Sequence, residues 1–203
     1  MAVAALPHGG IAAHDEADQL YVETRELRVQ GFLLFMVSDL VLFSSFIFAY
    51  LYLRSSGQGW PPPGGPKLDL ALASINSVIL FGSGATMHFA LENWKHSKFM
   101  KFASWMLGTI VLGSLFLSGQ IIEYAKLAVG WGDSGIFGAG FYTLTGMHGF
   151  HVFCGVIYLT ILLLQAAQGK YTFKRYTGLT LGTLYWHFVD VIWVVLFSIF
   201  YLL

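Results

Sequence analysis

Five long apolar stretches, separated by residues that no membrane-spanning helix tolerates, constrain this chain more than any other feature. A spanning helix needs roughly 20 mostly apolar residues. Five segments meet that length: Arg28–Arg54, Asp69–Asn93, Phe99–Tyr124, Gly138–Gln168 and Gly178–Leu203. The first break, residues 55–67, reads SSGQGWPPPGGPK, whose prolines and glycines stop a helix. Residues 93–101 read NWKHSKFMK, a short basic turn. Residues 126–140 are rich in glycine and carry Asp133, and residues 169–177 read GKYTFKRYT. The expected fold is all-α: an integral membrane bundle of five transmembrane helices. Residues 1–27 form a polar N-terminal tail, and residues 28–203 the membrane domain.

Composition agrees with that pattern. Of the 203 residues 56% are hydrophobic and only 11% charged, about half the charged share of a soluble domain. Mean hydropathy is +0.66. So few charges cannot cover a surface facing water. A formal net charge of +0 offers nothing to a polyanion, so nucleic acid is not an expected partner. Cys154 is the one cysteine and lies in an apolar run, which excludes a disulfide within the chain. Residues 1–30 mix acids with bases and hold no apolar core, so no cleaved leader is expected.

Basic residues set the orientation. Arg25, Arg28, Lys95, Lys98, Lys101, Lys170, Lys174 and Arg175 fall on one side; Arg54, Lys67 and Lys126 fall on the other. The first set belongs inside, which puts the N-terminus inside and the C-terminus outside. Recurrent small residues, Gly82 and Gly84, Gly108 and Gly113, Gly146 and Gly149, and Gly178 and Gly182, suit close helix packing in lipid.

Ionisable residues inside apolar segments are expensive and therefore informative. Asp39 stands alone in the first segment; His88 and Glu92 lie near the inner end of the second. Glu123 lies near the outer end of the third, His148 and His151 in the outer half of the fourth, and His187 and Asp190 in the inner half of the fifth. At about 1.5 Å rise per residue, Asp39, His187 and Asp190 share a depth, and Glu123 and His148 share another. Two polar clusters are expected rather than one site. His148/His151 and His187/Asp190 are i, i+3 pairs, each on one helix face. Such faces could clasp a metal or a haem, handle protons, or bond between helices. The last needs least, because a neutral histidine in lipid requires only a partner. Facing haem ligands would need matched depth, and His148/His151 are offset from His187 by roughly 10 Å. No nucleophile elbow and no phosphate-cradling loop is present, so no catalytic residue and no metal ligand set is expected in this chain. Inverted repeats and broken helices, the marks of a small transporter, are not apparent either.

Several motifs occur in one order with one topology. Residues 141–159 read FYTLTGMHGFHVFCGVIYL and residues 185–197 read YWHFVDVIWVVLF. Ser38–Asp39 precedes LVLF, Gly59–Trp60–Pro61–Pro62 stands in the first outer loop, and Ser74–Ile75–Asn76 and Ser83–Gly84 lie in the second segment. The third segment ends Gln120–Ile121–Ile122–Glu123–Tyr124. From about Val29 onward the chain resembles subunit III of the haem–copper respiratory oxidases, in its five-helix form.

The resemblance implies a subunit without redox centres. Haem and copper would reside in subunits I and II, and this chain would pack on subunit I, hold phospholipid, and support proton uptake during O2 reduction. The acid of the family's Ser-Glu pair corresponds to Asp39, one methylene shorter here. Independently of the resemblance, the cost of burying polar groups leads Glu123, His148, His151, His187 and Asp190 to be expected in interhelical polar contacts. Members with seven helices carry two more at the N-terminus, so a cleft lined by those two is absent here or filled by a partner. Trp60–Pro61–Pro62 and the Gln120–Tyr124 segment resemble the cytochrome c oxidase branch. Ser38–Asp39, the histidine-containing tail and the length also resemble the quinol-oxidising branch. The expected location is a bacterial plasma membrane.

Overall fold

The computed structural model describes residues 9–56, 68–127, 135–172 and 176–203, with side chains for residues 22–55 in the first of these ranges. Among the described residues every regular element is helical. The helices are α1 (Gly9–Ser56), α2 (Leu70–Lys95), α3 (Phe99–Leu127), α4 (Gly135–Ala167) and α5 (Thr177–Phe197), and α5 runs on into a π-helical turn, Ser198–Leu202. All five are long and apolar enough to cross a membrane.

α1 begins upstream of the expected Arg28. Residues 11–29 are rich in Ala, Glu, Leu, Gln and Arg, which favour helix, so the polar stretch continues the same helix, whose membrane-spanning portion is Val22–Ser55. Residues 1–40 and 41–203 are separate compact units. In the first, α1 presents exposed apolar side chains such as Leu33 and Leu34, and Ser38 Oγ donates to its own helix at Leu34 O, 2.9 Å.

In the second unit α2 packs on α3, α3 on α4, α4 on α5, and α5 back on α2. Each neighbouring pair is antiparallel. Asp69 caps the start of α2: its Oδ1 accepts from Leu72 N at 3.1 Å, and this bond holds the Asp69 carboxyl below the usual carboxylate range. Lys126, at the end of α3, lies 3.4 Å from Asp69 Oδ2 and adds to that effect.

The two turns on the opposite side end alike. After α2, Ser97 N bonds Trp94 O and Lys98 N bonds Asn93 O. After α4, Gly169 N bonds Ala166 O and Lys170 N bonds Gln165 O. Both match the Schellman pattern, which needs a left-handed residue at its centre. Gly169 (φ 72°) supplies it at no steric cost, whereas Ser97 (φ 59°) carries a side chain there.

The loop motifs Gly59–Pro62 and Asp133, together with Lys67, Lys174 and Arg175, lie outside the described residues. Of the small residues expected at contacts, Gly84, Gly113 and Gly182 abut side chains of neighbouring helices, while Gly82 and Gly108 have open space where a Cβ would stand.

Candidate functional site

The interior of the four-helix ring is built in layers on two tryptophans of α5. Trp186 and Trp193 are seven residues apart and so lie on one helix face. Trp186 Nε1 donates to Ser83 Oγ of α2 at 2.9 Å. Its ring edge fills the space left by two glycines. A Cβ at Gly113 of α3 would stand 2.7 Å from Trp186 Cη2, and one at Gly155 of α4 would stand 2.9 Å from Cζ3.

One layer further along, Trp193 Nε1 donates to Ser77 Oγ of α2 at 2.9 Å. The Trp193 ring stacks on His148 of α4 (centroids 5.1 Å apart, planes at 28°) and meets Phe116 of α3 edge to face at 4.9 Å. A third layer, at the ends of α1 and α5, gathers Phe200 against Phe141 (5.3 Å) and Tyr50 (4.8 Å). Residues 141, 148 and 155 of α4 thus oppose residue 200 of the π-helical turn and 193 and 186 of α5. Both helices advance by seven residues per layer, the repeat of a regular antiparallel seam.

The expected polar residues take different places on this frame. Glu123 is buried beside the third layer. Tyr201 OH, carried inward by the π-helical turn, donates to Glu123 Oε1 at 2.7 Å, and Gln120 Nε2 reaches Oε2 at 3.5 Å. Beside it Tyr124 OH and Thr145 Oγ1 are 2.6 Å apart, tying α3 to α4.

His148 does not join Glu123. It is 1% exposed, enclosed by Trp193 and Phe116, and neither ring nitrogen has a hydrogen-bond partner among the described residues. The His151 ring packs on Phe43 of α1 at 5.1 Å, its Nδ1 donates to Met147 O of its own helix at 2.8 Å, and its carbonyl accepts from Tyr185 OH at 3.1 Å. By the seam register His151 is level with Asp190, about one turn from His187. His148, level with Trp193, lies six residues or about 9 Å from His187, as residue counting expects, and only His151 is nearer than that count. His187 and Asp190 do come together, Nδ1 to Oδ2 3.6 Å apart, on the outward side of α5 next to Gly84. Asp39, on α1, is 8% exposed.

The sequence reading missed Ser77 and Tyr201 and named Ser83 only within a motif; the three supply partners to Trp193, Glu123 and Trp186. The i, i+7 spacing of the tryptophans was the available signal for the two serines. The tyrosine depends on the π-helical turn, which shifts Tyr201 from its α-helical direction. Among the described residues no group of three or more His, Cys, Asp or Glu side chains comes together that could hold a metal ion.

A sequence model of cytochrome c oxidase subunit III matches residues 17–203. Cytochrome c oxidase subunit 3 of Thermostichus vulcanus is 36% identical over 182 residues, 89% of this chain and 90% of that one. The subunit of the same name from Synechocystis sp. is 38% identical, covering 88% and 76% of the two chains. That of Bacillus subtilis is 35% identical, covering 85% and 84%.

Proposed function

This chain belongs to the cytochrome c oxidase subunit III family, and from that membership we propose that it is the non-catalytic core subunit of a proton-pumping oxidase that takes electrons from cytochrome c. Family membership makes it a multi-pass membrane protein and part of a multi-subunit oxidase complex, and the bacterial relatives support a plasma-membrane location. In the proposed arrangement subunits I and II hold haem and copper and reduce O2 to water. This chain stabilises subunit I, holds phospholipid and supports proton uptake, with its N-terminus inside.

The observation that carries the reading is the match of the entire membrane region, residues 17–203, to one named subunit. The interior supports it as well. His148 lies against Trp193 and Phe116, and His187 lies beside Asp190, so the histidines of α4 and α5 serve different contacts. Asp39 is the candidate proton-linked acid: it is a carboxyl-bearing side chain buried on an otherwise apolar stretch of helix.

Affinity purification on this chain in mild detergent tests the proposal. The expected product is a haem- and copper-containing assembly that oxidises reduced cytochrome c. An assembly that oxidises quinol and ignores cytochrome c would move the chain to the quinol branch. A Soret band that stays with this polypeptide after the other subunits are removed would end the non-catalytic reading.

A further inference from the structure

The end of α5 leaves the α-helical path without a local reason. Ser198–Leu202 forms a π-helical turn, and Leu203 N bonds Ser198 O, five residues back, at 3.1 Å. The segment SIFYL holds neither proline nor glycine, the usual causes of a break. Ser198 Oγ bonds its own helix at Val194 O, 2.8 Å, and such a bond can bend a helix. Ser104, Ser114 and Ser118 make the same bond on α3, which stays α-helical throughout. The cause therefore lies outside the segment. Tyr201 supplies it: its OH reaches α3 and donates to Glu123 Oε1 at 2.7 Å. Glu123 is 2% exposed, and its contact with Gln120 Nε2, at 3.5 Å, is longer than an ordinary hydrogen bond. A buried carboxyl that loses its good donor bears the full desolvation cost, so the Tyr201 bond can hold one irregular turn in place.

The same turn carries contacts that hold the end of α1. Phe200 packs on Tyr50 of α1 at 4.8 Å and on Phe141 of α4 at 5.3 Å. Leu203 O accepts from Arg54 Nη2 of α1 at 2.7 Å. Tyr50 also lies against Gly140 of α4, where a Cβ would collide with its ring. All of these residues belong to the compact unit that starts at Val41. We propose that Glu123 of α3 latches the end of α1 through the π-helical turn. By holding Tyr201 it keeps the turn π-helical, and that turn aims Phe200 at Tyr50 and Leu203 O at Arg54. Were the turn to relax to α-helix, Leu203 N would bond Ile199 O instead of Ser198 O. The Phe200 ring and the Leu203 carbonyl would then rotate relative to α1. The attachment of α1 thus depends on an acid of α3 that α1 does not need to touch.

Amide hydrogen exchange, read by mass spectrometry on the purified complex, tests the latch. Three segments are followed: residues 198–203 of the turn, residues 50–54 of α1, and residues 94–101 at the α2–α3 turn as a control. Tyr201→Phe removes only the hydroxyl. It is expected to speed exchange in 198–203 and in 50–54 about threefold, the effect of one interhelical hydrogen bond, and to leave the control unchanged. Glu123→Gln keeps an acceptor oxygen and is expected to protect both segments as wild type does. Arg54→Met cuts the latch at its far end. It should speed exchange in 50–54 and leave 198–203 protected, because Glu123 and not α1 holds the turn. Wild-type exchange of 50–54 in Tyr201→Phe would overturn the latch. So would faster exchange at the control segment, which would mean general loosening. Loss of protection at 198–203 in Arg54→Met would show that α1 holds the turn, and would overturn the assigned role of Glu123.

Discussion

His148 is a polar ring used as a packing piece. Its stack on Trp193 contributes about 0.5–1.5 kcal/mol beyond burial, while a buried polar group without a partner costs about 1–3 kcal/mol. The second term is the larger, so the ring's shape holds the site and its nitrogens oppose it. His148→Phe keeps the aromatic face toward Trp193 and Phe116 and removes the unpaired nitrogens. It is expected to stabilise the chain by about 1 kcal/mol, read as a higher midpoint in detergent-mediated unfolding. A lower midpoint would mean that the imidazole has a bonding partner in the assembled protein. Asp39 calls for the opposite kind of substitution. Asp39→Asn preserves size and hydrogen-bonding capacity but cannot carry a proton. The expected outcome is an oxidase that assembles normally and loses part of its proton-coupled turnover over many cycles. Sustained pumping at the wild-type rate would remove Asp39 from the proton path.

At the scale of elements, two turns with the same hydrogen bonds were unequally legible in the sequence. Gly169 announces a left-handed helix end, since glycine adopts that conformation freely. Ser97 does not, because nothing in NWKHSKFMK distinguishes it from its neighbours as the residue with positive φ. Ser97→Gly is therefore expected to stabilise the α2–α3 turn by about 1 kcal/mol, the steric penalty of an L side chain in that region. Thermal unfolding of the purified complex checks the sign, and destabilisation would show that the serine side chain contributes to the turn more than its strain costs. Helix existence was legible because an apolar run of spanning length has one stable answer in lipid. Relative depth was legible for His148 against His187 but not for His151. It follows from which side chain fills which gap, here Trp186 into the space at Gly113 and Gly155, and residue counts from a loop cannot see that. The polar residues show the same division. Their burial was legible for Glu123 and Asp190, but the Tyr201 partner of Glu123 required the π-helical turn at Ser198–Leu202.

For the molecule as a whole, the contacts fix which helix ends share a side, and the charge pattern predicts which of the two sides is cytoplasmic. Arg54, ending α1, donates from Nη2 to Leu203 O at 2.7 Å, which places the ends of α1 and α5 together. Asp69 and Lys126 place the start of α2 with the end of α3. Lys95, Lys98 and Lys101 cluster at the turn between α2 and α3, and Lys170 follows α4. Of the three cations assigned to the outer side, Arg54 and Lys126 are engaged in these helix-end contacts and Lys67 lies outside the described residues. Of the cations assigned to the inner side, Lys98 and Lys101 are exposed at the turn and Lys95 pairs with Glu92 at 3.2 Å; on this assignment they hold the loop on the cytoplasmic side. Reporter fusions read this directly. Alkaline phosphatase, which needs an oxidising exterior to form its disulfides, should be inactive when joined after Ser97 and active when joined after Leu203. A green fluorescent reporter that matures only inside should show the reverse. Activity of the phosphatase at Ser97 would invert the topology and put Lys98 and Lys101 outside. The basic turn between α2 and α3 would then have lost its part in fixing orientation.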